Sequence, residues 1–492
     1  MTAMTLENAR AYEAEFKASA DAERPAFHLT PAIGWMNDPN GFSVYKGEYH
    51  LFYQYYPYAT TWGPMHWGHA KTKDFVTWEY LPCALAPDTT ADERGVFSGT
   101  ALELEDGRQL LVYTGVYGRE NMPEDLHGYQ HQCAAIGDGI NYEKMSVNPI
   151  IGADKLPEGI SDIDFRDPKV FKSGDYYYVL AVARVEDGTG SAVLFSSTDL
   201  ENWVFESRII SCEGRYGTMW ECPDFFALDG TECLTFCAHE TLPEGYEFHA
   251  GYGNFFFIGR YDIASQTFEK DHVQAVDYGC DFYAQQTLET EDGRRILVAW
   301  MQNWNDVHVK GNDTKIFGAM TLPRELRIKN NRLYQWPVRE IENYRSNKVE
   351  YKDIAVNKEM SLEGIEGRVI DLNVSIRPDE DGSFRKFYLK LARTGGQYAE
   401  IIFNPETNVV KFDRTYGVSR YDYVTTRKFK VEDRDGALDL RILVDKNGVE
   451  IFANGGAQAC TSKIYTPVDA GDITFESRGN CVIDVTKYDL CK

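Results

Sequence analysis

Short apolar and alternating stretches, each pair joined by a glycine turn, recur along the first two thirds of the chain. The unit of strand, glycine turn and apolar strand occupies residues 44–56, 104–115, 171–182, 227–238 and 290–301. The turn glycines lie 60, 67, 56 and 63 residues apart, at Gly47, Gly107, Gly174, Gly230 and Gly293. Each unit predicts a β-hairpin. Five hairpins at this period predict a five-bladed β-propeller over residues 25–336, because a blade of about four strands buries its faces only against neighbouring blades.

The pattern changes after the fifth hairpin. Residues 337–349 predict a short connecting helix that begins near Pro337. Polar and apolar positions then alternate over residues 385–393, 398–404, 408–414, 438–454 and 481–490, which predicts antiparallel strands. We therefore expect residues 350–492 to form a β-sandwich. This part has no obvious catalytic cluster, so its expected role is structural.

The N-terminal stretch, residues 1–24, predicts a helical extension with an amphipathic helix from Leu6 to Ala20. It lacks the apolar core of a secretory signal. Nowhere does an apolar run approach the roughly 18–20 residues that span a bilayer. Ten scattered cysteines indicate buried free thiols in a reducing compartment rather than a disulfide framework. These features together predict a cytoplasmic protein.

The charge composition limits the classes of partner that the chain is expected to bind. The chain has 51 lysines and arginines against 76 aspartates and glutamates, a formal net charge of -25. Such a charge repels phosphate backbones and anionic membrane surfaces, so we expect neither nucleic acid nor membrane as a partner.

One residue stands seven to ten positions before each turn glycine in an unusual local context. These residues are Asp38, Ser98, Asp167, Glu221 and Tyr283. In a propeller the innermost strand of each blade lines the central axis, so residues at one offset converge on one pocket. An aspartate before a turn usually caps a backbone group, but three carboxylates at matching offsets favour a shared pocket.

Carboxylates that meet in an aromatic-walled pocket fit glycoside hydrolysis, in which one carboxylate attacks and another protonates the leaving oxygen. Asp38 has turn-forming neighbours in WMNDPNG whose hydrogen bonds would keep it ionised, as a nucleophile requires. Glu221 is flanked by apolar residues in MWECPDFF, which predicts a raised pKa suited to a proton donor. Asp167 follows Arg166, whose guanidinium can orient carboxylates and sugar hydroxyls.

The segments WMNDPNG (35–41), FRDP (165–168) and ECPD (221–224) resemble the three motifs of glycoside hydrolase family 32. That family includes invertases, sucrose-6-phosphate hydrolases, inulinases and levanases. The resemblance continues through residues 49–57, 62–70, 97–100, 277–287, 318–326 and 449–456. It therefore covers nearly the whole chain after the N-terminal helix.

The resemblance implies that Asp38 is the nucleophile, Glu221 the acid/base and Asp167 the transition-state stabiliser. It also implies fructose contacts from Asn37, Gln54, Trp62, Phe97, Ser98, Arg166, Tyr283 and Trp300. No metal and no cofactor are implied, and His66 and His69, despite their i, i+3 spacing, are expected to be structural. At Phe317 the chain departs from the tryptophan often found near the pocket rim.

The expected activity is therefore that of a retaining, exo-acting β-fructofuranosidase with a small sugar as its partner. Alternatives are a fructosyltransferase, an inulin or levan fructanase, a catalytically inactive sugar-binding protein and a scaffold for protein partners. Sucrose, sucrose 6-phosphate and short fructo-oligosaccharides stay open, because all present the same terminal fructose. The loop cations that could hold a phosphate are Arg119, Arg215, Lys310 and Lys315.

Overall fold

A computed structural model describes residues 4–123, 126–306, 314–380, 382–417 and 424–491. The chain begins with helix α1, Leu6–Phe16, whose N-terminus is capped by the Thr5 hydroxyl. A 3-10 segment, Lys17–Glu23, follows, so the predicted helix from Leu6 to Ala20 is α-helical only in its first part. The apolar side of α1 buries Ala9 against the first sheet. Among the described residues, no helix is long and apolar enough to cross a bilayer.

Residues 34–337 form five sheets of four or five strands in the described part of the chain. The first contains β1 Gly34–Tyr45, β2 Glu48–Tyr56, β3 His66–Thr72 and β4 Glu79–Leu85, and the second β5 Gly95–Glu103, β6 Gln109–Tyr117, β7 Tyr129–Gly137 and β8 Tyr142–Lys144. The third contains β9 Ile160–Ser173, β10 Tyr176–Val185, β11 Gly190–Ser197 and β12 Val204–Ser211, and the fourth β13 Met219–Leu228, β14 Thr231–Thr241, β15 Gly251–Asp262 and β16 Thr267–Ala275. The fifth contains β17 Tyr283–Glu289, β18 Arg295–Trp300, β20 Arg324–Lys329 and β21 Arg332–Pro337, while the short β19, Ile316–Phe317, pairs in parallel with β1.

The five predicted hairpins are confirmed as the first two strands of the five sheets. Their turn glycines all have positive φ, at 75°, 79°, 58°, 81° and 78° in chain order. That backbone region is accessible to glycine without steric cost. The five first strands contact one another in succession, and β17 contacts β1, so they enclose a central axis.

The linker prediction was partly wrong. A 3-10 segment spans only Arg339–Tyr344, and strand β22, Arg345–Val356, begins where a helix had been expected. Residues 348–352 alternate between exposed and partly buried positions, which suits a strand that pairs along the edge of a sheet.

The C-terminal part is a β-sandwich, as predicted. Its strands are β22, β23 Ile370–Pro378, β24 Phe384–Thr394, β25 Gln397–Asn404, β26 Val409–Asp413, β27 Thr426–Lys430, β28 Leu438–Asp445, β29 Gly448–Ala453, β30 Gln458–Lys463, β31 Asp472–Gly479 and β32 Cys481–Leu490. A six-stranded sheet has the order β22-β32-β23-β28-β29-β30, and a five-stranded sheet the order β27-β26-β25-β24-β31. Leu372 and Ile442 from the first sheet share one core with Leu389 and Phe475 from the second.

The two halves of the chain meet at a buried cluster of charged residues, the seam, formed by His28, Asp277, Arg324, Asp445 and Glu450. Arg324 donates to Glu450 Oε2 at 2.6 Å and to Asp277 Oδ2 at 2.9 Å. His28 lies 3.0 Å from Asp445 Oδ2 and 2.9 Å from Glu450 Oε1. These bonds join the N-terminal segment, the connection between the fourth and fifth sheets, the fifth sheet and the sandwich.

All ten cysteines are free thiols, and nine of them are buried. Cys233 and Cys237 lie in the same strand, β14.

Candidate active site

Each of the five first strands carries a register shift at the predicted pocket residue. The shifts fall between Met36 and Pro39, Val96 and Gly99, Arg166 and Lys169, Glu221 and Asp224, and Tyr283 and Gln286. Such bulges re-aim side chains and are frequent beside active sites. Pro39, Pro168 and Pro223 lie in three of them, because a proline cannot donate to the ladder and is tolerated at a bulge. The Asp-Pro and Cys-Pro pairs of the motifs thus mark places where strands bend at the axis.

Asp38 lies in the bulge of β1 and is held by two neutral donors. Ser98 Oγ donates to Asp38 Oδ2 at 2.7 Å, and Asn37 Nδ2 donates to Asp38 Oδ1 at 3.0 Å. Asn37 is itself fixed by the indole of Trp35, which donates to its Oδ1 at 2.7 Å. Side chains from two neighbouring sheets therefore set the position of this carboxylate.

Asp167 lies in the bulge of β9 with φ of 60°. Its own amide donates to Thr114 Oγ1 at 2.9 Å, and its Oδ2 accepts from the amide of Cys222 at 2.9 Å. The Cys222 thiol lies 3.8 Å from both Asp167 Oδ2 and Asp38 Oδ2. Because Cys222 directly follows Glu221, this contact brings all three predicted carboxylates to one place.

Glu221, at the start of the β13 bulge, has three polar partners. Tyr283 donates its hydroxyl to Glu221 Oε2 at 2.7 Å, and His239 Nε2 lies 3.0 Å from the same oxygen. Arg166 Nε lies 3.3 Å from Glu221 Oε1. These partners come from the third, fourth and fifth sheets.

The predicted pKa directions of Asp38 and Glu221 were both wrong. Burial, together with the charge of Glu221, raises the pKa of Asp38 to about 6 despite its bonds to Ser98 and Asn37. Burial also raises the pKa of Asp167, and Glu221 adds to the effect. Burial disfavours the charged form of Glu221 too, but His239 and Arg166 outweigh it and lower the pKa.

The error at Glu221 has a structural cause. Successive residues of a strand point to opposite faces, so Trp220 points away from the Glu221 carboxyl. Trp220 stacks on Phe236 in the core, 4.2 Å between ring centroids. The groups that surround the Glu221 carboxyl are the Arg166 guanidinium, the His239 imidazole and the Tyr283 phenol.

The carboxylates open into a cavity of about 430 Å³. Nine predicted residues line it: Asn37, Asp38, Gln54, Trp62, Phe97, Ser98, Arg166, Asp167 and Glu221. Trp62 is 39% exposed at the rim and packs edge-on against Phe97. Tyr283 and Trp300 are fully buried and do not line the cavity, so the prediction that they contact the sugar directly is not supported. Tyr283 instead donates its hydroxyl to Glu221 Oε2.

The remaining predicted positions lie away from the cavity. Phe317 is stacked on Trp35 with centroids 4.5 Å apart and lies outside the cavity lining. His66 and His69 are buried, the first bonded to the Pro64 carbonyl and the second to His50. Within the described residues, no group of three or more potential ligands could hold a metal ion.

Three of the four cations that could hold a phosphate lie away from the cavity lining. Arg119 pairs with Asp162 and packs 3.8 Å above the Tyr129 ring, and Arg215 pairs with Glu244. The backbone of Lys315 is bonded to Glu23. None of these three residues lines the cavity, and Lys310 lies outside the described residues.

Several lining residues had no sequence prediction. They are Leu126, His127, Gly128, Gln130, Ile163, Asp164, His239, Tyr252 and Trp304. Asp164 had a signal, because it precedes Arg166 by two residues and so lies on the same face of the strand. The Arg166 guanidinium donates to Asp164 Oδ1 at 2.9 Å. His239 lies on the second strand of its sheet and had no comparable signal.

Comparisons with known proteins agree with this geometry. The model of the glycosyl hydrolases family 32 N-terminal domain matches residues 28–337, and that of the family's C-terminal domain matches residues 340–489. A sucrose-6-phosphate hydrolase of Zymomonas mobilis is 32% identical over 91% of this chain and 88% of its own. A raffinose invertase of Escherichia coli is 32% identical over 93% of each chain.

Solved structures extend the likeness to the fold. A GH32 β-fructofuranosidase of Bombyx mori superposes with a TM-score of 0.84 at 31% identity, covering 99% of both chains. A mutant of that enzyme has been solved in complex with sucrose. Two family models that together span nearly the whole sequence decide the classification: this chain belongs to glycosyl hydrolase family 32 and is a glycoside hydrolase.

Proposed function

We propose that the chain is a retaining, exo-acting β-fructofuranosidase that removes the terminal fructose of sucrose, sucrose 6-phosphate or a short fructo-oligosaccharide. The observation that carries the proposal is the convergence of Asp38, Asp167 and Glu221 on one cavity through three strand bulges. Two carboxylates at a scissile glycosidic bond are the requirement of this reaction.

Asp38 acts as the nucleophile. Its carboxylate attacks the anomeric C2 of fructose, the bond from C2 to the glycosidic oxygen breaks, and Glu221 gives a proton to that oxygen. Water then attacks C2 of the fructosyl-enzyme, Glu221 takes the proton of the water, and the bond to Asp38 breaks. Two displacements at C2 give net retention of configuration.

Asp167 and Arg166 stabilise the transition state. Asp167 accepts from the Cys222 amide with one oxygen, and its negative charge faces a ring that becomes positive in the transition state. Arg166 is fixed by Asp164 and by Gln130 and can donate to a sugar hydroxyl. Asn37, Gln54, Trp62, Phe97 and Ser98 supply the remaining wall of the fructose subsite.

We further propose that the five sheets are the blades of a five-bladed propeller. Support comes from the succession of contacts among the first strands, which returns from β17 to β1. The catalytic domain then spans residues 25–336, preceded by an extension over residues 1–24. A linker over 337–349 and an accessory sandwich over 350–492 follow, although β22 begins inside that linker.

A small substrate fits the cavity best. A volume of about 430 Å³ lies in the range of small-molecule sites, and Trp62 is exposed at the rim. Free thiols throughout the chain suit a reducing compartment such as the cytoplasm. The names of the sucrose-6-phosphate hydrolase and raffinose invertase relatives support the same class of substrate.

The test is to hydrolyse sucrose in water containing methanol and to follow the products by carbon NMR, since the anomeric C2 of fructose bears no hydrogen. Methyl β-fructofuranoside should form first. An initial α-fructoside would show inversion and overturn the role of Asp38. Values of kcat/KM for sucrose, sucrose 6-phosphate, kestose and inulin then separate the substrates, and a preference for inulin of tenfold or more would indicate the fructanase alternative. Transfer to sugar exceeding hydrolysis at high sucrose would indicate a fructosyltransferase.

A further inference from the structure

His239 faces the cavity beside the proposed acid/base, although no motif marks it. It lies in β14, and its Nε2 is 3.0 Å from Glu221 Oε2. The His239 side chain is 30% exposed and that of Glu221 18%, so both reach the water of the cavity. The Tyr252 ring packs edge-on against the imidazole, with centroids 5.1 Å apart, and limits its movement.

The other partners of Glu221 do not exchange protons near neutral pH. Tyr283 is buried, and burial raises the pKa of its hydroxyl well above its usual value. The Arg166 guanidinium stays charged in proteins. Among the described partners of Glu221, only the imidazole of His239 titrates in the range where a glycosidase works.

We propose that His239 is a positioning residue that shares with Glu221 the proton delivered to the leaving oxygen. The inference rests on the proposed function and deepens it. The pair holds this proton in one of two arrangements, carboxylate with imidazolium or carboxylic acid with neutral imidazole. His239 and Arg166 favour the first arrangement, with Glu221 as the carboxylate, and negative charge on Asp38 and Asp167 opposes it.

The proton balance closes at each step. In the first displacement Glu221 gives its proton to the leaving oxygen, and any proton on His239 can pass to Glu221 through the 3.0 Å contact. In the second displacement Glu221 takes a proton from water, and His239 can receive it in turn. No other reactant is required.

The charges around His239 come from every strand packed against it. Glu221 raises the pKa of His239, burial opposes this, Arg166 lowers it and Asp164 raises it. The titratable and charged groups that line the cavity with the pair are Asp38 on β1, His127 between β6 and β7, Asp164, Arg166 and Asp167 on β9, and Tyr252 on β15, and Tyr283 on β17 bonds Glu221.

The sign of the pH effect follows from coupled titration. A proton shared by two sites is held more tightly than by either site alone, so the pair loses it at a higher pH than Glu221 would by itself. Removing the imidazole must therefore move the basic limb of kcat/KM to lower pH.

The test is the full-length His239→Gln variant, which keeps a hydrogen-bond donor near Glu221 but cannot titrate. We expect its basic limb on sucrose to lie about one pH unit below that of the wild type, with activity at pH 6 within about threefold. On p-nitrophenyl β-fructofuranoside, whose leaving group needs little protonation, the two proteins should differ by less than about twofold at all pH values. The matched control is His272→Gln, on the outer strand β16 of the same sheet and outside the cavity lining, and its limb should stay at the wild-type pH.

An unchanged basic limb in His239→Gln, or an equal loss on both substrates, would overturn the shared proton and leave His239 a packing residue. These outcomes differ from failure of the proposed function, in which the wild type itself would hydrolyse neither fructoside. His239→Ala adds a second check, because it removes the hydrogen bond as well. If its limb stayed at the wild-type pH, the proposal would also fail.

Discussion

The cavity and the seam each place carboxylates beside an arginine and a histidine, yet they differ in exposure. At the seam the side chains of Arg324, Asp277 and Glu450 are 0% exposed, and that of His28 is 2% exposed. In the cavity Arg166 is 10%, Glu221 18% and His239 30% exposed. Charged side chains of the same kinds are closed to water at the seam and open to it in the cavity.

The seam and the cavity also differ in the partners of their carboxylates. Seam carboxylates all accept from a cation, and His28 and Arg324 hold the pKa of Glu450 below its usual value against the effect of burial. Asp277 is the exception, because burial raises its pKa by more than Arg324 lowers it. In the cavity Arg166 and His239 both contact Glu221, while Asp38 and Asp167 accept from neutral donors in the described structure. The seam has its charges satisfied in the folded state, whereas the cavity keeps two carboxylates whose charge is unfavourable until a substrate is bound.

The largest expected effect is on catalysis from the cavity. Asp38→Asn should lower kcat by more than about a hundredfold, since it removes the nucleophile but keeps the volume. Its Tm should stay the same or rise, because the raised pKa shows that the native fold disfavours this charge. Steady-state kinetics and thermal unfolding measure the two. A folded variant that kept more than a tenth of the wild-type kcat would contradict the assignment.

Arg324→Met should produce the opposite pattern. It leaves Asp277 and Glu450 buried without their cation, a change that costs about 3–5 kcal/mol in the free energy of unfolding. The kcat of the folded fraction should be retained, because Arg324 lies outside the cavity lining. Urea unfolding followed by fluorescence measures the loss, with Arg260→Met, which breaks an exposed pair with Glu269, as the control near wild type. Equal stability of the two variants would show that the seam does not hold the halves together.

Much of the fold and the three carboxylates could be predicted because their signals are local. The turn glycines mark hairpins, and Pro39, Pro168 and Pro223 mark the bulges that turn side chains toward the axis. Alternation predicted six strands of the sandwich, β24, β25, β26, β28, β29 and β32. It did not predict β22, β23, β27, β30 and β31, and in β22 few positions are buried.

The remaining features depend on contacts between distant residues. His28 and Glu450 lie 422 positions apart, and neither has a local pattern that identifies a partner. The surroundings of Glu221 come from three sheets, so flanking apolar residues pointed to the wrong pKa direction. His239 is on the second strand of its sheet, where the offset that located the carboxylates does not apply.

His28 should make the stability of the seam fall at alkaline pH. Burial disfavours its charged form, but the bonds to Asp445 and Glu450 outweigh this and raise its pKa from 6.5 to about 9. Its contribution is therefore fully present below about pH 6.5 and is lost as pH rises through 9, a change of about 3 kcal/mol. Urea midpoints between pH 6.5 and 10 measure it. The gap between wild type and His28→Gln should narrow over this range, and a constant gap would show that His28 does not titrate there.

The smallest expected effect is on the acid limb of the pH profile of kcat/KM. Because the pKa of Asp38 is about 6, kcat/KM should fall below that pH as the nucleophile becomes protonated. Ser98 donates to Asp38 Oδ2 at 2.7 Å and so favours the ionised form. Ser98→Ala should move the acid limb to higher pH by about one unit, since a hydrogen bond to a charged group contributes about 1.5–3 kcal/mol and water replaces part of it. Ser43→Ala is the control. Ser43 lies on β1, the strand of Asp38, but its hydroxyl donates to the Gly41 carbonyl instead. A limb that stayed in place or moved to lower pH in Ser98→Ala would mean that a group other than Asp38 sets it.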